Sequence, residues 1–399
     1  MRILAVWELG GGMGHVSLIS SVLDEFRKRG DRVFVAARNV VSARTAIGQG
    51  EIPIYPAPYS ISGSPPLPPS ASYPEVLLRV GYHDAETLRA LLESWRHLFD
   101  LLQPDVVFAE HSPTAVLAAR IQGLPCAHAG TGFTVPPCER PMPPFLNLTA
   151  TAGSRLATAE SQVLQVINTA LQGIGCEPLS HVAAIFDHSM PVLCTYPELD
   201  HYGKRAGVDY WGTIDRAHWP GGFPGWPAGR KRRIFVYLHH HYPAFSGLVG
   251  QLQRLGNPTL LVSPGIPASM AAKISTTSIK VTARPVDLRE AVKAAPVIFT
   301  NAGHGTAASL LLLGTPMVML PRFVEQSAFA YRLAQQGLSI MASPNPANHD
   351  YGKMIDRLTA TAQYTENAVR FAERWAGVER PVRLAALMER LVTWYSNDD

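Results

Sequence analysis

Residues 299–326 read FTNAGHGTAASLLLLGTPMVMLPRFVEQ, and the architecture of the chain is worked out from them. Residues 296–300 form a short apolar run rich in β-branched and aromatic side chains, the signature of a buried strand. Residues 301–306, Asn-Ala-Gly-His-Gly-Thr, follow as a turn whose two glycines remove Cβ bulk and admit unusual backbone angles. Residues 306–313 are apolar and helix-permissive, and Gly314, Thr315 and Pro316 stop them. Residues 317–320 supply another buried strand. Strand, turn, helix and strand make a βαβ unit whose turn presents bare helix amides. Those amides and the helix dipole favour an anion, most often phosphate. Glu325 and Gln326 come just after the next strand, at the same carboxyl end of the sheet. A phosphate cradle beside a carboxylate and an amide suits a sugar attached to a diphosphate.

The chain has 399 residues, enough for two domains with a core each. Hydrophobic residues at 47% and charged ones at 17% describe a globular chain. A net charge of +4 attracts anionic ligands mildly, and no basic patch argues for nucleic acid. Cys126, Cys138, Cys176 and Cys194 lie far apart without Cys-x-x-Cys spacing, as reduced, packed thiols of a cytosolic protein do. With no apolar stretch of membrane-spanning length and no secretory pattern at the start, a cytoplasmic location is expected.

Residues 2–7 form the first strand, followed by Glu8-Leu9-Gly10-Gly11-Gly12-Met13-Gly14-His15. A helix follows, with Val16, Ile19, Leu23 and Phe26 at helical spacing, and residues 32–36 give strand two. The dinucleotide fingerprint fails here: His15 replaces its third glycine, and Arg38 stands where an acidic residue would close strand two. His15 begins a helix just past a strand's carboxyl end, where ligands bind in open α/β sheets. The plainer reading is a His that caps local backbone. Asp84 caps an amphipathic helix whose Leu88, Leu91, Leu92, Trp95, Leu98, Phe99 and Leu102 form one face. Residues 104–109 are a strand ending in Glu110 and His111. Glu110 either faces His15 or meets the N-terminus of the following helix. His111 could substitute for His15 or contact an acceptor.

Two proline-rich, aromatic stretches, residues 52–74 and 130–145, read as long loops, and the first excludes helix and central strand. Tyr55, Tyr59, Ile61 and Leu67 suggest that the first packs against something; together the loops suggest an apolar-walled acceptor pocket. Helical sequence up to about residue 173 and a strand at 192–195 complete the first half. The Pro/Gly stretch 212–229 reads as an interdomain linker. Residues 233–238, 259–263 and 279–282 supply further strands. His239, His240 and His241 follow the first of these; neighbours on extended chain point to opposite faces, so they suit one metal ion poorly. Residues 362–396 are mostly helical, with a break at Pro381.

Gly14-His15 and the stretch 283–326 resemble the family-one (UDP-glycosyltransferase-like) glycosyltransferases, whose fold is the two-domain GT-B. Their donor signature runs Trp-x-Pro-Gln, His-x-Gly, a Ser or Thr, a Glu and Asp-Gln. Laid on without gaps, Ala283 falls at the Trp, Pro285 at the Pro and Val286 at the Gln. Asn301 takes the diphosphate-binding His, Thr306 the phosphate-binding Ser or Thr, Ser309 the ribose-binding Glu, and Glu325-Gln326 the sugar-binding Asp-Gln. The resemblance implies two Rossmann-like domains facing across a cleft: an acceptor domain at 1–215, a linker at 216–232 and a nucleotide-sugar domain at 233–375. A terminal helix at 376–399 would cross back to the first domain.

It implies that His15 is the general base and that Glu110, a methylene longer than the family's Asp, orients it. Gly14, His239, Arg284 and Val286 would approach the donor. Asn301, Gly303, His304, Gly305 and Thr306 line the diphosphate. The implied reaction is an inverting, metal-independent transfer from a UDP- or dTDP-sugar to a hydroxyl of a largely apolar or lipid-linked acceptor. The nucleotide sugar is co-substrate and no cofactor is required; peripheral contact with a membrane is left open, as is oligomeric state. Two alternatives stay open: a GT-B-fold epimerase or hydrolase, which would bind the same nucleotide diphosphate, and a non-catalytic nucleotide-sugar-binding protein, raised by the altered Ala283, Asn301 and Ser309.

Overall fold

The computed structural model describes residues 1–48, 50, 52–60, 67–146, 153–214, 222–377 and 379–396. Contacts divide the chain into two compact units, Met1–Arg216 with Glu379–Asp399, and Ala217–Val378. Ile61 and the first residues of the expected linker lie outside the described residues.

In the first unit, the strands are β1 (Arg2–Trp7), β2 (Arg32–Ala37), β3 (Ile54–Pro56), β4 (Val106–Glu110), β5 (Cys126–Gly130) and β6 (Ser189–Leu193). They form one sheet ordered β3-β2-β1-β4-β5-β6, parallel throughout. This is the doubly wound order of the Rossmann folds, reversing direction between β1 and β4. The core strands carry Val, Ile, Leu and Ala almost without interruption, because helices cover both faces of a parallel sheet. Trp7 of β1 lies beside Glu110 of β4, so both strands end level at the reversal point.

The Ala85–Leu102 helix starts where expected: Asp84 accepts hydrogen bonds from the Thr87 amide at 2.8 Å and the Thr87 hydroxyl at 2.7 Å. Its Leu88, Leu91, Leu92, Trp95, Phe99 and Leu102 are buried, and each such side chain contributes about 1.5–3 kcal/mol by leaving water. The terminal helix Arg380–Ser396 also belongs to this unit. Leu384, Leu387, Met388, Leu391 and Tyr395 join a core shared with Val16, Ile19 and Phe26 of the Met13–Lys28 helix. Pro381 sits in the first turn of that terminal helix, so the helical break precedes the proline. A proline there forfeits no intrahelical hydrogen bond.

The second unit holds β7 (Ile234–Tyr237), β8 (Thr259–Val262), β9 (Ile279–Thr282), β10 (Val297–Thr300), β11 (Met317–Met319) and β12 (Ser339–Met341). They pair in parallel in the order β12-β11-β10-β7-β8-β9. This repeats the first unit's winding, with its reversal between β7 and β10. Its core gathers Val236, Leu261, Phe299, Val318 and Ile340 from the strands with Leu248, Leu252 and Ile355 from the helices.

Several local readings change. The strand expected at 192–195 starts earlier, at Ser189, and ends at Leu193. The first proline-rich stretch contains β3, a three-residue edge strand, the place where a sheet tolerates Pro56. Its last two residues open a short helix, Tyr73–Leu77. The unusual backbone angle in the 301–306 turn falls on Ala302, at φ 60°, while Gly303 is ordinary at φ −69°. Among the described residues no helix is long and apolar enough to cross a membrane.

Candidate active site

Both reversal points carry the residues singled out from the sequence. In the first unit, β1 runs into Glu8 and a glycine turn before the Met13–Lys28 helix, and β4 ends in Glu110. The His15 imidazole meets the Glu110 carboxylate there: Nδ1 lies 2.7 Å from Oε2 and 2.8 Å from Oε1. Both side chains are largely buried, with exposures of 14% and 4%, so water screens the contact little. The Trp7 ring stacks on His15 at 5.7 Å between centroids. Gly10, at φ 81°, packs so close to the imidazole that a Cβ there would fall 2.2 Å from its Nε2. Gly130, at φ 143°, packs chiefly against Thr134, whose Oγ1 would fall 1.9 Å from a Cβ, with Glu110 Oε1 next at 3.2 Å. Gly14 is in the first turn of the helix, and a Cβ there would meet nothing within 4 Å.

The alternative reading of Glu110, a partner for the next helix's N-terminus, is filled by a different carboxylate. Glu8 is fully buried and accepts hydrogen bonds from the Thr114 amide at 2.9 Å, the Thr114 hydroxyl at 2.5 Å and the Ala115 amide at 3.4 Å. It thus takes the first-turn amides of the Pro113–Ile121 helix. Burial pushes its carboxyl up to about 7, against the opposing pull of the Thr114 hydrogen bonds. With Glu8 on the helix, Glu110 is left to His15.

His111, immediately after Glu110, has φ 43° and is buried. Its ring lies 5.8 Å from that of His15. The second proline-rich loop turns its apolar side chains inward: Phe133, Val135, Met142 and Phe145 are buried, and Phe133 stacks on Phe145 at 4.7 Å and meets His111 at 6.0 Å. In the first loop Tyr55 and Leu67 are half-buried, while Tyr59 is exposed beneath the Arg38 guanidinium at 4.7 Å.

In the second unit Asn301 follows β10 and ties the reversal point together. Its Oδ1 accepts from the His239 amide at 2.9 Å, and its Nδ2 donates to the Leu320 carbonyl at 3.5 Å. The ends of β7, β10 and β11 are thereby joined through one side chain. Ala302 holds the left-handed conformation that turns the chain into the His304–Leu312 helix. That conformation costs an alanine roughly 1–2 kcal/mol. Gly303 caps the helix with open space where its Cβ would be. His304, Gly305 and Thr306 occupy the first turn, whose amides have no intrahelical acceptor. Burial pushes the His304 imidazole down to about 4, so it is neutral at pH 7, against Phe329 at 5.1 Å.

Ser309 donates its hydroxyl to the Gly305 carbonyl at 2.8 Å, which leaves its oxygen only as an acceptor. Glu325 and Gln326 open the Val324–Gln335 helix, and Gln326 Oε1 accepts from the Arg322 amide at 2.8 Å. The Gln326 amide group therefore keeps its donors. Partial burial and the charges of His240, Arg322 and His241 hold the His239 imidazole below its ordinary value. Arg284 stands on an exposed turn after the edge strand β9, and Val286 is buried, so only its backbone is presentable. The signals missed from the sequence, Trp7, Gly10, Gly130 and Glu8, all act through close approach.

Two parallel, doubly wound Rossmann-like units are the architecture of a GT-B fold. No protein-family model matches the chain. By sequence it is similar to zeaxanthin glucosyltransferase of Pantoea ananas, 22% identical over 306 residues, covering 72% of this chain and 69% of the relative. By structure it is similar to the glycosyltransferase of kitacinnamycin, at a TM-score of 0.68 and 18% identity, with 98% of each chain covered. Spinosyn rhamnosyltransferase SpnG follows at 0.65 and 16%, covering 98% of this chain and all of that one. Glycosyltransferase VinC, solved with dTDP, gives 0.63 and 14% with both chains fully covered. These relatives are glycosyltransferases, in agreement with the resemblance found at His15 and at 283–326.

Proposed function

We propose that the protein transfers a sugar from a nucleoside-diphosphate sugar to a hydroxyl of a largely apolar acceptor. The observation that carries this is the His15–Glu110 contact of 2.7 Å at the first unit's reversal point. A carboxylate on Nδ1 fixes the tautomer, so Nε2 is the nitrogen that takes a proton. His15 Nε2 removes the acceptor hydroxyl's proton as its oxygen attacks the anomeric carbon. The bond from that carbon to the diphosphate breaks on the opposite side, so the configuration inverts. The leaving diphosphate takes the electron pair and is stabilised by the first-turn amides of the His304–Leu312 helix, with Thr306 beside them.

His304 and His239, both held toward neutrality, act there as hydrogen-bonding groups and not as cations. Asn301 acts by shaping the turn through its two backbone hydrogen bonds. Glu325 and the Gln326 amide group are the sugar contacts. The metal-free reading rests on those amides as the anion site. UDP and dTDP are both admitted as the nucleotide, and structural neighbours solved with thymidine diphosphate favour testing dTDP. A structural neighbour solved with spinosyn aglycone supports the choice of an apolar acceptor. A cytoplasmic setting fits four cysteines outside any disulfide.

The test is incubation with UDP- and dTDP-sugars, EDTA and a panel of hydroxylated apolar acceptors, read by mass spectrometry. Acceptor gaining the mass of one sugar supports the reading. Turnover of donor without any acceptor favours a hydrolase or epimerase instead, and loss of transfer in EDTA removes the metal-free mechanism.

A further inference from the structure

The His111 imidazole is over nine-tenths buried, and neither ring nitrogen has a hydrogen-bond partner among the described residues. A buried polar atom left unpaired costs about 1–3 kcal/mol, so it calls for an explanation. Packing filler is a poor one. His349 is buried to the same degree, and both its nitrogens are taken, by the Tyr351 hydroxyl at 2.9 Å and the Ser343 carbonyl at 2.8 Å. His111 also carries backbone strain, with φ at 43°. Non-glycine residues persist in that region where surrounding structure over-determines them, commonly at functional sites.

The surroundings do fix it. The His111 carbonyl accepts from the Leu9 amide at 3.0 Å. Ser112 Oγ donates to the Glu110 carbonyl at 2.9 Å and accepts from the Glu8 amide at 2.9 Å. The strained residue is thus strapped to the same two strand ends that hold His15 and Glu110. Its ring is 5.8 Å from the His15 ring, with Tyr73 at 6.4 Å and Phe133 at 6.0 Å. Tyr73 is completely buried, and its hydroxyl is also unpartnered among the described residues. An apolar wall with polar atoms beside the base matches a ligand that is flat, apolar and oxygenated at one edge.

Resting on the transferase reading above, we propose that the acceptor carries a second oxygen on the carbon next to its reacting hydroxyl, and that His111 binds it. Two imidazoles at this separation can each reach one of two neighbouring oxygens at an ordinary hydrogen-bond length of about 2.8 Å. Burial and the charges of His15 and Arg38 hold His111 well below the usual imidazole range, so it stays neutral. A neutral imidazole offers one donor and one acceptor, which suits a hydroxyl or a carbonyl equally. The residue is thus a specificity determinant, while proton removal stays with His15.

The probes are 2,3-dihydroxynaphthalene, with neighbouring oxygens, and 2-naphthol, with one. Equilibrium binding to the full chain is measured for both by fluorescence. The wild type is expected to favour the diol by about tenfold. His111→Gly, which suits the left-handed backbone, should erase that preference, so that both probes bind alike. His111→Asn, which tolerates the same backbone and still hydrogen-bonds, should retain part of it. Equal wild-type affinities, binding of neither probe, or a preference that survives in His111→Gly overturns the proposal. Sugar transfer to 2-naphthol and to the acceptor panel is scored separately. Its absence with every nucleotide sugar refutes the transferase reading, whereas the binding preference alone decides the role of His111.

Discussion

His15 Nδ1 lies 2.7 Å from Glu110 Oε2, joining two residues 95 positions apart, one in the helix after β1 and the other at the end of β4. In the proposed mechanism the carboxylate would orient the ring and stabilise the imidazolium formed when Nε2 takes a proton. Glu110→Gln keeps the shape and one hydrogen bond but removes the charge. It is expected to lower kcat by about 10- to 100-fold, less than loss of the base itself. The pH profile of kcat/KM checks the assignment, because without the carboxylate the acidic limb, set by protonation of the base, should shift to lower pH. An unchanged profile and rate would remove Glu110 from the mechanism.

Gly10 tests how tightly the ring is held. A Cβ at Gly10 would lie 2.2 Å from His15 Nε2 on a residue at φ 81°, whereas one at Gly11 meets nothing within 4 Å. Gly10→Ala should displace the imidazole, lowering transfer at least tenfold and stability by about 1–3 kcal/mol. Gly11→Ala should change both little. Parallel urea unfolding and rate measurements on the two variants decide it; equal behaviour would mean the turn is not packed as described.

Glu8 gives stability a pH dependence of known sign. Its folded carboxyl is raised from 4.5 to about 7, so the fold prefers the neutral acid. Its contribution is complete below about pH 4.5 and is lost as pH rises through about 7. The full span is about 3 kcal/mol, from about 2.5 units at 1.36 kcal/mol each. Glu8→Gln removes the ionisation and should flatten the difference in unfolding free energy between pH 5 and pH 7.5. A wild-type slope that persists in Glu8→Gln would assign it to other groups.

These sites were unevenly legible in the sequence. Strands β1, β2, β4, β7 and β10 announce themselves because buried parallel strands are runs of Val, Ile, Leu and Phe. β5, Cys-Ala-His-Ala-Gly, has no β-branched residue, and β3 and β12 are three residues each, too short for any period to register. His15 and Glu110 could be named through the family pattern. That Glu8 and not Glu110 takes the helix amides could not, since both are carboxylates at strand ends. The 301–306 turn shows the same limit: its glycines suggested the unusual angle, yet Ala302 adopts it. Gly303 is instead an unobstructed helix cap.

The nucleotide preference follows from Ser309. In the resembled family a Glu at this position grips both ribose hydroxyls. Ser309 is shorter, and its proton is committed to the Gly305 carbonyl at 2.8 Å. Losing one charge-assisted hydrogen bond removes about 1.5–3 kcal/mol of preference for ribose. UDP and dTDP should therefore bind within about tenfold of each other, and Ser309→Glu should shift the balance toward UDP. Calorimetry on both nucleotides checks this; a hundredfold UDP preference in the unmodified protein would mean another residue reads the ribose.

The central claim is that His15 is the base of a sugar transfer. It is tested most directly by the single-turnover rate of His15→Ala, with dTDP affinity measured on the same preparation. The account predicts a fall in transfer to a hydroxyl acceptor of about 100- to 10,000-fold, with nucleotide affinity nearly unchanged. Transfer at close to the wild-type rate by His15→Ala would contradict it.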